Sequence, residues 1–204
     1  MRKRQLPYFE AEMKESCYAE MESHNKPKSI AKDYGPSPFY FREQRGRDET
    51  RLVVWSPDLN QMKELFYQAL KVFPAEVEVL LKIKREDKST QKSTQEKWDR
   101  YYGQFHRAAL EEVIKQSETI IFQDGDSQLN VRKPDASDYV TLDDHGVIYV
   151  YSKSEQFEKL CRENGFEERL EKLISDLGHW HITPKDAQKK RAKFIRGLNL
   201  KRVS

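Results

Sequence analysis

The pattern of apolar and polar positions gives its clearest hairpin in Tyr139–Ser152, YVTLDDHGVIYVYS. Two short apolar runs flank the polar turn Asp143-Asp144-His145-Gly146. That pattern predicts a β-hairpin, because Asp side chains bond their own backbone in turns and Gly146 tolerates positive φ. A loop of two or four residues would put Val140, Leu142, Val147, Tyr149 and Tyr151 on one face. Tyr139, Thr141, Ile148 and Val150 would take the other. Both faces are largely apolar, so the hairpin is expected at the centre of a sheet with cover on both sides. Behind it, Ser152 and Glu155 stand at capping-box spacing, and Phe157, Leu160 and Cys161 form a one-sided helical stripe. Asn164-Gly165 stops that helix. Phe166 begins strand-like material that ends at His179-Trp180-His181-Ile182.

Other segments give weaker patterns. Phe9, Met13, Cys17 and Met21 recur every fourth residue and suggest a short amphipathic helix. The Pro- and Gly-bearing stretch after it reads as irregular. Thr50–Trp55 reads as the first strand of the domain. Ser56-Pro57-Asp58 then starts a helix with Leu59, Met62, Leu65, Phe66, Ala69, Leu70 and Phe73 inward, closed by Pro74. Glu76–Lys84 follows as a strand with Val77, Val79, Leu81 and Ile83 on one side, making a β-α-β unit. The doubled tetrapeptide KSTQKSTQ at 88–95 reads as a polar linker loop. Ser93 and Glu96 stand at capping-box spacing, and a long helix is expected to follow to about Ser117, with Trp98, Tyr102, Phe105, Ala109 and Val113 inward and Gly103 as a weak point. Thr119–Phe122 and Gln128–Arg132 flank Asp124-Gly125 as a second hairpin. Thr183-Pro184-Lys185-Asp186 opens a last helix with Ala187, Phe194, Ile195 and Leu198 on a narrow apolar face.

The mixed order of strands and helices predicts an α+β protein. It should have one mixed, largely antiparallel sheet with helices mainly on one face, an irregular N-terminal arm and a basic C-terminal helix. The division expected is an arm at 1–49, a single domain at 50–198 and a basic tail at 199–204. With 204 residues, of which 37% are hydrophobic and 35% charged, a core is available but much of the chain must be solvated. Charge is unevenly placed. Residues 185–204 hold eight Lys or Arg against one Asp, a local +7, whereas the whole chain carries +3 and the remainder therefore −4. Two cysteines far apart, a polar stretch after Arg2-Lys3-Arg4 and the lack of a ~20-residue apolar run predict a reduced, cytoplasmic protein without a membrane partner.

Several chemistries have no sequence support. The isolated glycines form no phosphate-cradling loop, and no G-x-S-x-G elbow, C-x-x-C pair or H-E-x-x-H helix occurs. No cofactor and no catalytic residue is assigned. The candidate metal residues are His179 and His181, which share a face of a strand, with Asp143, Asp144 and His145 as further ligands if their turn comes close. Cys161 reads as core, since an apolar setting raises a thiol pKa. The pairs Asp124/Asp126 and Glu167/Glu168 are the remaining carboxylates at acid–base spacing. Lys185, Lys189, Lys190, Arg191, Lys193, Arg196, Lys201 and Arg202 form the candidate macromolecule-binding surface. The functional expectation is a non-enzymatic protein that binds another macromolecule, first a protein partner. The alternatives are a nucleic-acid-binding protein using the basic C-terminal helix and a metal-dependent hydrolase using His179-x-His181.

Overall fold

The computed structural model describes residues 29–31, 37–44, 50–85, 97–171 and 179–203. Expectations for the 9–21 helix, the 88–95 linker and the terminal Ser204 lie outside these. The strands are β1 (Ser29–Ala31), β2 (Phe39–Gln44), β3 (Thr50–Trp55), β4 (Glu76–Lys84), β5 (Trp98–His106), β6 (Ser127–Arg132), β7 (Tyr139–Leu142), β8 (Ile148–Tyr151), β9 (Glu167–Glu168), β10 (His179–His181) and β11 (Lys201–Val203). The helices are α1 (Leu59–Lys71), α2 (Arg107–Lys115), α3 (Glu118–Gln123), α4 (Gln156–Glu163) and α5 (Ala187–Gly197). Nine strands form one sheet in the order β11-β5-β4-β6-β7-β8-β3-β2-β9, while β1 and β10 pair separately. Every neighbouring pair of the large sheet is antiparallel except β2 with β9. The α+β class with one mixed sheet is therefore the observed architecture.

The hairpin lies at the centre of that sheet, but its register differs from both expected loops. Leu142 pairs with Ile148, and the N–H of Asp143 donates to the carbonyl of Val147 at 3.0 Å. Five residues thus form the connection. The extra residue moves all of β8 by one position relative to β7, which exchanges its two faces. Val140, Leu142, Ile148 and Val150 share one core; Val147, Tyr149 and Tyr151 pack in another. Gly146 and Gly165 adopt positive φ, 78° and 77°, as their turn and helix-end positions require.

All five helices contribute to the core beneath one sheet face. Phe66, Leu70, Leu110, Ile114, Ile120, Phe122, Phe157, Cys161 and Phe194 pack there against Val54, Val79, Leu81, Val131 and Val140. Full burial of each large apolar side chain contributes about 1.5–3 kcal/mol relative to exposure. The inward positions expected for α1 are all buried, but its N-cap is Asp58, whose carboxylate accepts the N–H of Asn60 at 2.8 Å. Ser56 instead accepts the N–H of Asp58. The strands joined through α1, β3 and β4, run in the same direction with β6, β7 and β8 inserted between them.

Three expected elements are corrected. The sheet begins before Thr50, because Phe39-Tyr40-Phe41 enters it as β2; its alternate residues supply both cores. In the helix expected to end near Ser117, residues Trp98–His106 are instead strand β5, paired with β4 over nine residues. Trp98, Tyr102 and Phe105 fit helical spacing, yet aromatic residues favour strands, and β4 supplies the pairing. Gly103 permits a close approach here: a Cβ on it would stand 2.4 Å from the Phe105 ring, which folds back over that position. Finally, Thr119–Phe122 lies within α3, whose Ile120, Ile121 and Phe122 are all buried. Three consecutive apolar residues carry no period that separates helix from strand.

Candidate functional site

Two places gather chemistry-bearing side chains. The first is the 143–147 connection. Asp143 Oδ1 accepts the N–H groups of His145 and Val147 at 3.0 and 2.8 Å, so this carboxylate shapes the turn. Its Oδ2 lies 3.0 Å from His145 Nδ1. Asp144 Oδ1 is 3.4 Å from the same nitrogen, and its Oδ2 is 3.8 Å from His181 Nδ1. The His181 Nδ1–H donates to the Asp144 carbonyl at 3.2 Å, and the two imidazole centroids are 4.7 Å apart. One donor atom each from Asp144, His145 and His181 falls within a 4.8 Å group.

The electrostatics of this cluster are strongly coupled. Burial opposes charge on His145, but hydrogen bonds and charge from Asp143 and Asp144 outweigh it and lift the imidazole to about 9. Burial likewise opposes charge on Asp144, while the hydrogen bond from His145 and the charges of His145 and His181 hold its carboxyl below the usual range. Of the five sequence-assigned metal candidates, three converge. Asp143 stands behind His145 as the turn former. His179 sits in β10 opposite Ala31, and its side chain lies outside the described residues.

The second place is the sheet face opposite the helices. Register aligns side chains on it in rows. Tyr102, Leu80, Asn130, Thr141 and Tyr149 form one row across five strands. Gln104, Glu78, Arg132, Tyr139 and Tyr151 form the next. Leu80, Tyr102, Asn130, Arg132 and Tyr139 line a groove of about 340 Å³. In the row beside it the Glu78 carboxylate accepts hydrogen bonds from Gln104 at 3.0 Å and from Arg132. Hydrogen bonds from Gln104 and Tyr102, and then Arg132, hold that carboxyl below its usual range against the effect of burial. Tyr139 lines the groove, and Tyr151 stacks on it with ring centroids 4.1 Å apart. Lys82 and Arg100 face one another directly in the adjacent row; burial first, and then the charge of Arg100, lowers the Lys82 pKa.

The sequence reading missed this face because it put Tyr102 inside a helix. The alternation of Asn130 with Arg132 and of Tyr139 with Thr141 was the available signal.

The expected basic surface is divided. Lys185, Lys189, Lys190, Lys193 and Arg196 are exposed on or beside α5. Arg191 is buried and engaged: its Nε and Nη2 donate to the two Asp124 oxygens at 2.6 Å each, and Nη2 also donates to Asp126 at 3.0 Å. Arg191 is thus buried in an ion pair with Asp124 and Asp126 rather than exposed beside the other five cations. Thr183, expected as N-cap, donates to Asp126 instead; Asp186 takes the cap position with no side-chain cap bond. Lys201 and Arg202 lie on edge strand β11, where Arg202 pairs with Asp99. Glu167 and Glu168 are exposed on the other edge strand.

Cys161 is buried, and burial pushes its thiol up to about 12, as its place on the apolar stripe of α4 predicts. Iodoacetamide at pH 8 should therefore leave Cys161 unmodified in the native protein and label it once urea unfolds the chain. Mass spectrometry of the Cys161 peptide checks this; labelling within minutes in the native state would place the thiol outside the core.

The chain matches no family model, no curated protein and no solved structure. Among the described residues, no helix is long and apolar enough to cross a membrane.

Proposed function

We propose that the protein binds single-stranded nucleic acid on the β5–β4–β6–β7 part of the sheet face opposite the helices, in a cytoplasmic setting and without catalysing a reaction. The observation that carries this reading is the groove between Tyr102 and Tyr139, with Leu80 and Asn130 along its floor and Arg132 at its side. Its volume of about 340 Å³ falls in the range of roughly 300–1,000 Å³ typical of small-ligand sites. Partly exposed tyrosines on a sheet offer planes on which bases stack whatever their identity; the Asn130 amide is held in place by bonds to the Leu80 carbonyl and the Thr141 hydroxyl. Lys82 and Arg100 supply two like charges in direct cross-strand register. Such a pair costs stability unless an anion accompanies it; the Asp144 carboxylate offsets part of the repulsion at Lys82, and a phosphate backbone would supply a further anion. This face replaces the C-terminal helix as the favoured contact, because the two lie on opposite sides of the sheet.

Fluorescence anisotropy with labelled single-stranded RNA and DNA of mixed sequence, at two salt concentrations, tests the reading. Tyr102→Ala and Tyr139→Ala should each lose about 1–3 kcal/mol of binding, the range measured for base-stacking aromatics. Log affinity should fall linearly with log salt. Changing Lys189, Lys190 and Lys193 together to Gln should leave affinity within a few-fold of wild type. Binding lost in the lysine variant and kept in the tyrosine variants would move the site to α5. No binding to either nucleic acid at low salt would remove this reading and leave a protein partner as the user of the face.

A further inference from the structure

We propose that Asp144, His145 and His181 form a binding site for one divalent transition-metal ion of the zinc class, independently of how the sheet face is used. Two imidazoles and a carboxylate suit borderline ions such as Zn²⁺, whereas Mg²⁺ and Ca²⁺ take oxygen ligands. The spacing already approaches that of a bound ion. Ligand atoms about 2.0–2.2 Å from a tetrahedral zinc lie about 3.4 Å from one another. His145 Nδ1 and Asp144 Oδ1 are 3.4 Å apart, and His181 Nδ1 and Asp144 Oδ2 are 3.8 Å apart. With all three donors inside 4.8 Å, small side-chain rotations close the set.

The backbone around these donors is tied from both segments. Asp143 holds the turn through two N–H bonds, which fixes where His145 and Asp144 emerge. The 179–183 segment is tied to the α3–β6 connection by the Gly125 N–H, which donates to the Ile182 carbonyl at 2.7 Å. Without an ion, His181 Nδ1 bonds the Asp144 carbonyl at 3.2 Å and His145 Nδ1 bonds Asp143 Oδ2 at 3.0 Å; coordination through these nitrogens exchanges both bonds, and the protons in them, for the ion. The three side chains are largely shielded, with 11–22% of each exposed, so an ion would be held at the rim of the fold rather than on open surface. Three protein ligands leave a fourth position to water, as in metal centres that polarise a bound water molecule.

The test uses full-length protein without a histidine tag, stripped with EDTA and titrated calorimetrically with ZnCl₂, with MgCl₂ as the control ion. The expected result is one equivalent of zinc bound at micromolar Kd or tighter and no saturable binding of magnesium. Asp144→Asn and His181→Gln, which nearly preserve shape, should each weaken zinc binding at least tenfold. His106→Gln, remote on β5, should leave it unchanged. Should either cluster variant fail to fold by circular dichroism, Co²⁺ added to the wild-type protein supplies the second readout. A four-coordinate nitrogen–oxygen site gives an intense visible spectrum that Zn²⁺ displaces. Absence of saturable zinc binding, zinc binding that both folded variants retain, or a weak six-coordinate cobalt spectrum overturns the proposal.

Discussion

Replacing Arg191 with Met should destabilise the protein by about 3–5 kcal/mol, the usual consequence of breaking a buried ion pair from one side. Asp124 has no exposed surface, and Arg191 is 7% exposed. Burial alone would lower the Arg191 pKa, but the hydrogen bonds and charge of Asp124, with those of Asp126, raise it. The variant leaves the Asp124 carboxylate in the interior with the Asp126 backbone N–H, 3.2 Å away, as donor in place of the guanidinium. It must then remain charged without a counter-ion or take up a proton, and either outcome costs folding free energy. For a chain of this size the expected loss corresponds to a melting temperature roughly 6–20 °C lower. Urea unfolding followed by circular dichroism measures it directly. Adding Asp124→Asn to the Met variant should restore at least about half of the loss, because a neutral amide is far cheaper to bury than a carboxylate. A loss below about 1 kcal/mol in the single variant would mean that the pair is solvated and does not join α5 to the α3–β6 connection. Neighbouring Lys190→Gln, on the exposed side of the same helix, should stay within about ±0.5 kcal/mol.

That contrast shows what one-dimensional reading could and could not extract. Lys189-Lys190-Arg191-Ala192-Lys193 looks like uniform basic surface when charges are counted. Yet Ala187, Arg191, Phe194 and Leu198 are spaced four, three and four apart, so Arg191 occupies a gap in the apolar stripe. Helical periodicity marked it as inward-facing; charge arithmetic concealed it. The inward residues of α1 and α4 were legible because a single period explained them. Trp98–His106 was not, because Trp98, Tyr102 and Phe105 satisfy helical spacing while nine cross-strand pairs with β4 decide the outcome. The groove vanished with that misreading, since Tyr102 lines it.

The histidine–aspartate cluster was legible in a different way. Asp144, His145 and His181 were all recognisable as ligand types, and the hairpin turn carrying the first two was identifiable from Asp143 to Gly146. Their meeting depends on where β10 lies, and β10 pairs with β1, a strand in the arm. No local pattern encodes a contact across 37 residues. The loop length followed the same logic. Alternation specified two strands, but only the backbone bond from Asp143 to Val147 selected five connecting residues and thereby the face each tyrosine takes.

Tyr149→Ala should cost about 3–5 kcal/mol, the range for removing a large aromatic from a core. Tyr149 is 7% exposed and occupies β8 between Thr141 of β7 and Val53 of β3. With Phe39, Phe41, Val53, Trp55 and Val147 it makes the smaller core, on the sheet face opposite the helices. The Arg51 guanidinium lies 3.9 Å from its ring centroid while bonding Glu43 and the Tyr151 hydroxyl. Truncation removes packing atoms and also the aromatic face beneath a cation, an interaction worth roughly 0.5–2 kcal/mol. Tyr149→Leu keeps apolar volume but no ring, so it should fall between wild type and Ala. Urea midpoints at constant m-value distinguish these outcomes from a change in the unfolded state. Because this core also supports Tyr151, which stacks on Tyr139, the Leu variant should weaken nucleic-acid binding less than Tyr139→Ala does. A Tyr149→Ala midpoint within error of wild type would show that the second core contributes no stability, and the wall of the groove would then need another support.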